Sequence, residues 1–303
     1  MYDFFNPYRE IIPDFDNFID SLNRPAPVHL RVNRIKAEPE RVVNILAERG
    51  VLLKPMGDEG NRFFEASNLE SSGNLPEYFS GYIHPQALTS CLAAMVLAPV
   101  KDSLVLDMCS APGGKTAHMA DIMENSGLII ANELYPTRHI PLGHTLTRLG
   151  VLNVIYTEYQ AQEFPLKQRF DFIMADVPCS GEGRIRKRED SSNSYPSKPH
   201  PGNKLLDLQK KMILRGFDLL KDGGTMLYST CTYNPLENEG AVQFLLDNRD
   251  AELLPIDISF PHMNGLTEFN GVSYDRQLYR AARFYPHYLN SVGFFMARIG
   301  KRR

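Results

Sequence analysis

The 303-residue sequence has no CxxC pair, no internal repeat, no low-complexity tract, no apolar run of membrane-spanning length and no excess of positive charge. Each absence narrows the field. The four cysteines, Cys91, Cys109, Cys179 and Cys231, are widely spaced, which argues against both a zinc site and a disulfide scaffold and points to a reducing compartment. No stretch approaches the roughly 18 apolar residues of a bilayer span, and Met1 to Asn23 has no apolar signal core. A soluble, cytoplasmic protein with no membrane partner and no metal is therefore expected, with a monomer as the default. A net charge of −3 gives no global basic field, so any nucleic-acid contact must use local patches. The apolar fraction of 43% and charged fraction of 23% are those of a globular chain. Its length leaves room for one large domain of roughly 200 to 250 residues and a small one.

What is present is organised around Leu104 to Thr116, Leu-Val-Leu-Asp-Met-Cys-Ser-Ala-Pro-Gly-Gly-Lys-Thr. An apolar strand pattern ends at Asp107, passes through a Gly/Pro loop and enters a helical pattern from Thr116 to Met123. Gly113 and Gly114 allow close approach of a ligand, and a helix start offers free amides. The Gly-Lys-Thr ending suggests a Walker loop, but the glycine that pattern needs is replaced by Cys109. The dinucleotide fingerprint fails too, for want of a third glycine. A loop that cradles an adenosyl group without phosphate, as S-adenosylmethionine requires, fits best; another nucleotide and a purely structural turn stay open.

In chain order, residues 1 to 24 carry apolar positions at helical spacing. Strand patterns at Val28 to Val32 and Val51 to Met56 flank a helical one from Pro39 to Gly50, so a small α+β unit is expected over residues 1–75, either docking substrate or acting as a spacer. The remainder, 76–303, alternates strands and helices: a helix at Leu88 to Leu97, then strands at Leu128 to Ala131, Val151 to Thr157, Phe170 to Asp176 and Thr225 to Ser229. Lys221-Asp222-Gly223-Gly224 reads as a helix stop, and later strands fall near Leu253 to Ile258, Ala281 to Tyr285 and Gly293 to Ile299. This order describes an α/β fold, a Rossmann-like doubly wound sheet, mixed but mostly parallel. Glu133, past the second strand of that sheet, is placed to grip a ribose diol, or is a solvated loop carboxylate. His84 reads either as a structural hydrogen-bonding group or as a catalytic one, and Cys91 as a buried hydrophobe.

Cys179 and Cys231 each lie just past the carboxyl end of an apolar strand, among Pro, Gly, Ser and Thr, at the rim where such sheets bind ligands. They should face one cleft beside the glycine loop. A methyl donor with two thiols suits carbon 5 of a pyrimidine, which becomes nucleophilic only after a thiolate adds to carbon 6. A base must then remove the carbon 5 hydrogen, a step the second thiol can serve. Asp176 is placed to hydrogen-bond the ring edge near nitrogen 3, or to cap its loop.

These residues resemble the RNA cytosine-5 methyltransferases of the Nop/Sun family. The matching pieces are Leu106 to Thr116, Asp176-Val177-Pro178-Cys179-Ser180-Gly181, Tyr228-Ser229-Thr230-Cys231-Thr232 with Glu237-Asn238-Glu239, and Gly293-Phe294-Phe295. The resemblance implies a class I methyltransferase with Cys231 as nucleophile and Cys179 serving release; the opposite assignment, used by DNA enzymes, stays open. It implies RNA, ribosomal or transfer, as the substrate, and not DNA. It assigns Cys109, Ser110, Ala111, Pro112, Gly113, Gly114, Lys115, Glu133, Arg138 and Asp176 to S-adenosylmethionine, with Lys115 also near the target nucleotide. Where the family has an aspartate for the adenine amino group, this sequence has Gln160, whose carbonyl can accept the same bond without charge.

Arg184-Ile185-Arg186-Lys187-Arg188 follows the Pro-Cys motif and offers a local grip on phosphates while the target base is turned out, or is a solvated basic loop. Glu189 to Asn203 has no regular pattern and is expected to be mobile without RNA. Two rival functions remain at this point: a methyltransferase acting on protein or a small molecule, and a noncatalytic RNA-assembly factor.

Overall fold

The computed structural model describes residues 2–57, 62–186 and 202–302. Lys187, Arg188 and Glu189 to Pro201, which is all but the last two residues of the segment expected to be mobile, lie outside the described residues; Asn203 opens a helix. The first strands are β1 (Val28–Val32), β2 (Leu52–Pro55), β3 (Phe63–Ser67) and β4 (Ile83–Pro85). They form an antiparallel sheet in the order β2-β3-β1-β4. The first helices are α1 (Tyr2–Phe5), α2 (Phe15–Leu22), α3 (Pro39–Glu48) and α4 (Pro76–Phe79). Helix α3 starts on a proline, whose missing N–H costs nothing there, and seats Val42 and Leu46 on Leu30, Val32 and Phe64 of the small sheet. Within the region read as residues 1–75, α1 and α2 pack elsewhere: Phe5, Phe15, Phe18 and Leu22 cluster with Tyr233 and Tyr285. Strand β4 comes from beyond residue 75.

The large sheet begins with β5 (Leu104–Asp107), β6 (Leu128–Asn132), β7 (Val154–Thr157), β8 (Phe170–Asp176) and β9 (Leu220–Thr230). These five run parallel in the order β7-β6-β5-β8-β9. Two of the last strands, β10 (Ala251–Leu254) and β15 (Phe294–Lys301), are antiparallel partners, and β15 also joins β9 antiparallel. Beyond β15 lie β14 (Ala282–Phe284) and β11 (Met263–Asn264), while β12 (Glu268–Phe269) and β13 (Val272–Ser273) form a separate hairpin. The expected mixed, mostly parallel α/β fold is the one observed. Successive strand residues face opposite layers, as a period of two requires: Val105, Met174 and Leu227 enter one core with α5 (Leu88–Leu97), while Leu106, Ile173 and Met226 enter the other.

One expected boundary is wrong. Lys221 to Gly224 does not separate helix from strand, because the helix ends at Leu219 and β9 begins at Leu220. The glycines instead absorb a bulge, with Gly223 at φ 78° and a register shift opposite Phe170 and Phe172. Strand order reverses between β5 and β8, and at such a switch point the carboxyl ends of neighbouring strands diverge and leave a crevice. No helix among the described residues is long and apolar enough to cross a membrane.

A buried ion pair, Arg31 of β1 to Asp121 of α6 (Gly114–Ile122), at 3.1 Å fixes the small sheet to the helix that follows β5. Burial pulls the Arg31 pKa down and pushes that of Asp121 up, each against the pull of its partner. Removing one member leaves an uncompensated buried charge, so Asp121→Ala is expected to lower stability by about 3–5 kcal/mol. Urea unfolding measures this, and a loss within about 0.5 kcal/mol, as at ordinary surface sites, would show that Arg31 has another acceptor.

Candidate active site

Strand β5 delivers Asp107 to the crevice, where its carboxylate accepts the Thr116 hydroxyl at 2.7 Å and the Cys109 amide at 3.3 Å. Burial raises the Asp107 pKa to about 7. The loop then turns at Gly113, whose φ of 104° disfavours any side chain. A Cβ on Gly114 would stand 3.0 Å from His84 Nε2, so the helix start lies tight against β4. Asn132 at the end of β6 knits the rim together. Its carbonyl accepts the Ser110 amide and hydroxyl at 2.9 and 3.0 Å, and its side-chain amide donates to Met108 O and Tyr159 O. Its side-chain oxygen takes Thr157 Oγ1 and Tyr159 N–H, both at 2.9 Å. Beside it, Arg138 pairs with Glu133 at 3.0 Å and donates to Ala111 O at 2.9 Å, tying the glycine loop to the tip of β6.

Across the crevice, β8 ends at Asp176 and β9 at Thr230, adjacent and parallel with Asp176 opposite Ser229. Asp176 accepts the Ser229 hydroxyl at 2.9 Å and the Lys115 ammonium at 2.8 Å. Just beyond, the sulfurs of Cys179 and Cys231 are 3.2 Å apart, and both side chains are partly exposed. The Cys179 hydrogen bond lowers the Cys231 pKa against the effect of burial, helped by Lys115 and Arg184. The Cys179 thiol is pushed up, first by that bond and then by burial. The Cys231 amide also donates to Cys179 Sγ at 3.3 Å, which works the other way. That is a single neutral dipole; on Cys231, Lys115 and Arg184 favour charge and Asp176 opposes it, and the balance biases the pair towards charge on Cys231 rather than on Cys179. Lys115 is held above the ordinary lysine value: burial works against its charge, and Asp176, with Asp107 and Cys231, outweighs it.

The family described as 16S rRNA methyltransferase RsmB/F matches residues 94–300 of this chain. The chain belongs to this family. A tRNA (cytosine(49)-C(5))-methyltransferase of Pyrococcus abyssi (strain GE5 / Orsay) is 34% identical over 294 residues, covering 96% of this chain and 94% of that protein. A Mus musculus 28S rRNA (cytosine-C(5))-methyltransferase is 35% identical over 303 residues, which is 97% of this chain and 37% of that protein. The chain spans 35–43% of the first three curated relatives it matches. A solved Pyrococcus horikoshii structure, described as a methyltransferase homolog protein, superposes with a TM-score of 0.85 at 31% identity, covering 99% of this chain and 95% of that one.

Among the residues singled out from the sequence, the structure of this RsmB/F-family chain puts Lys115 on Asp176 and Cys179 on Cys231, at the adjacent ends of β8 and β9. Asp176 is occupied by side chains from two other elements, Lys115 and Ser229. Gln160 is exposed and its carbonyl accepts Gln162 Nε2 at 2.7 Å, a bond it must release to reach a ligand. His84 Nδ1 faces Arg148 at 2.9 Å, and burial with Arg31 and Arg148 lowers its pKa to about 3, so it stays neutral and structural. The phosphate-gripping role read for Arg186 does not hold. That side chain is buried and donates to Arg24 O, Ser21 O and Asn290 Oδ1, leaving Arg184 as the exposed arginine among the described residues of the run. The sequence reading missed Asp107, which holds its own loop and the start of the following helix, and Asn132, whose partners lie at or past the ends of β5 and β7. It also missed Gly183, which donates to Cys231 O at 2.9 Å and, through its own carbonyl, accepts the Gly293 amide at 2.9 Å. A Cβ on Gly183 would stand 2.2 Å from Gly293 O, so only glycine fits that brace.

Proposed function

We propose that this chain transfers a methyl group from S-adenosylmethionine to carbon 5 of a cytidine in ribosomal or transfer RNA, through a covalent bond from Cys231 to carbon 6. The observation that carries the reading is the sulfur pair, 3.2 Å apart, beside the Lys115–Asp176 pair and the glycine turn. Family membership and the printed activities of the relatives point the same way. The loop fits an adenosyl ligand: the first amides of α6 have no helical acceptor, and Glu133 and Arg138 stand at the next strand tip. Cys109 to Lys115, Glu133, Arg138, Gln160 and Asp176 would hold the cofactor, which supplies an electrophilic methyl when bound.

The residues of this chain then do the rest. Cys231, already biased to thiolate, adds to carbon 6 of the turned-out cytosine, and Asp176 with Lys115 fixes the ring edge as nitrogen 3 takes a proton. Carbon 5, now part of an enamine, takes the methyl. Cys231 is by then a neutral thioether, so the charge and hydrogen bond that held the proton on Cys179 are gone. Cys179 can give its proton to solvent and take the one from carbon 5, so that the Cys231 thiolate leaves as nitrogen 3 returns its proton. The small amino-terminal unit docks the RNA, and the chain acts as a monomer. Tritiated methyl transfer to separated tRNA and rRNA, followed by bisulfite mapping, tests this: label at a cytidine protected from deamination is expected. Transfer to protein, or to no RNA, overturns it.

A further inference from the structure

We infer that Glu237 is a positioning residue that holds the Cys179 loop against the Cys231 loop and thereby sets the sulfur–sulfur contact. Glu237 is fully buried and touches neither sulfur, so it cannot reach a substrate. Its carboxylate instead gathers the backbone on both sides of Cys179. Oε2 accepts the Ser180 amide at 2.9 Å, and Oε1 accepts the Ser180 hydroxyl at 2.6 Å. Oε2 also takes Gln209 Nε2 at 2.9 Å, and that same amide donates to Pro178 O at 2.8 Å. The residues before and after Cys179 are thus fixed to one buried acceptor.

That acceptor belongs to the other loop. Glu237 follows Cys231 in the chain, its amide donates to Asn234 O at 3.1 Å, and Tyr228 of β9 donates to its carbonyl at 2.7 Å. A second crosslink runs through Thr232, the residue after Cys231, whose hydroxyl meets Ser180 Oγ at 2.8 Å and donates to Glu182 Oε2 at 2.9 Å. Glu182 takes Tyr8 OH at 3.0 Å on its other oxygen, so the clamp ends in the amino-terminal aromatic cluster. Besides the Gly183 amide on Cys231 O and the Cys231 amide on Cys179 Sγ, these side-chain bonds are what ties the two turns together. A carboxylate that accepts several donors in a low-dielectric site defines such a distance well.

This role rests on the proposed use of the two cysteines, and its test needs no RNA. In the whole protein, the pH profile of Cys231 alkylation by iodoacetamide is read by peptide mass, so that Cys91, Cys109 and Cys179 are counted separately. Cys179→Ala removes the donor to the thiolate and is expected to move the Cys231 midpoint up by about one unit. Glu237→Gln keeps the shape but cannot accept the Ser180 amide and hydroxyl together with Gln209, and is expected to move it the same way by about half a unit or more. The double variant should match Cys179→Ala alone, because a residue acting through Cys179 has nothing left to act on. Ser180→Ala, at an exposed position, gives a smaller shift that also vanishes in the Cys179→Ala background and serves if Glu237→Gln fails to fold. No shift, or one that persists undiminished without Cys179, overturns the inference. Intact coupling with no label in RNA would instead count against the proposed reaction.

Discussion

Cys231→Ala is expected to abolish methyl transfer, by on the order of 10^4-fold or more, and to form no covalent complex with RNA carrying 5-fluorocytosine. The probe separates the two sulfurs because fluorine at carbon 5 cannot leave as a proton. After methyl transfer the enzyme stays bonded to carbon 6, and a denaturing gel shows a band of protein plus RNA. Only the nucleophile can make that bond. Cys231 is the better candidate since Lys115 and Arg184 favour its charge and Cys179 gives it a hydrogen bond, whereas Cys179 is pushed towards the neutral thiol. Alanine should leave the loop in place: the Cys231 carbonyl still accepts the Gly183 amide, and Thr232 keeps its bond to Glu182. A surviving adduct in Cys231→Ala would make Cys179 the nucleophile and exchange the two roles.

How much of this was legible in the sequence follows from the range of the interactions involved. Leu88–Leu97 and Phe170–Asp176 were readable to the residue because their signals are local, an apolar helical run and an apolar strand bounded by turn residues. The glycine turn was readable for the same reason. The convergence of Cys179 and Cys231 was readable because each follows a strand, and parallel neighbours bring their carboxyl ends to one rim. Strands Phe63–Ser67 and Ile83–Pro85 were not, since they are short and are defined by partners across the small sheet. Arg186 misled because a run of basic residues looks solvated, while three acceptors far along the chain, one of them Asn290, bury this one. Glu237 carried a signal, its place in a quoted motif, but the clamp it forms with Ser180 and Gln209 exists only in three dimensions.

Cys179→Ala should behave in the opposite way to Cys231→Ala: it is expected to accumulate the protein–RNA adduct even with ordinary cytosine, while multiple turnover falls at least ~10^2-fold. The nucleophile and the methyl-accepting face are untouched, so addition and transfer proceed. What is lost is the group 3.2 Å from Cys231 that becomes free to ionise once its partner is a thioether. Adduct formation should also be slower near neutral pH and recover as pH rises, because the thiolate on Cys231 no longer receives a hydrogen bond. A denaturing gel of the trapped complex reads the first effect, and single-turnover labelling against pH reads the second. If Cys179→Ala turns over at the parent rate with no trapped complex, release belongs to another base. The nearest charged groups for that task are Lys115 and Asp176, whose ion pair would then be the acid and base of the final step rather than the clamp on the ring edge.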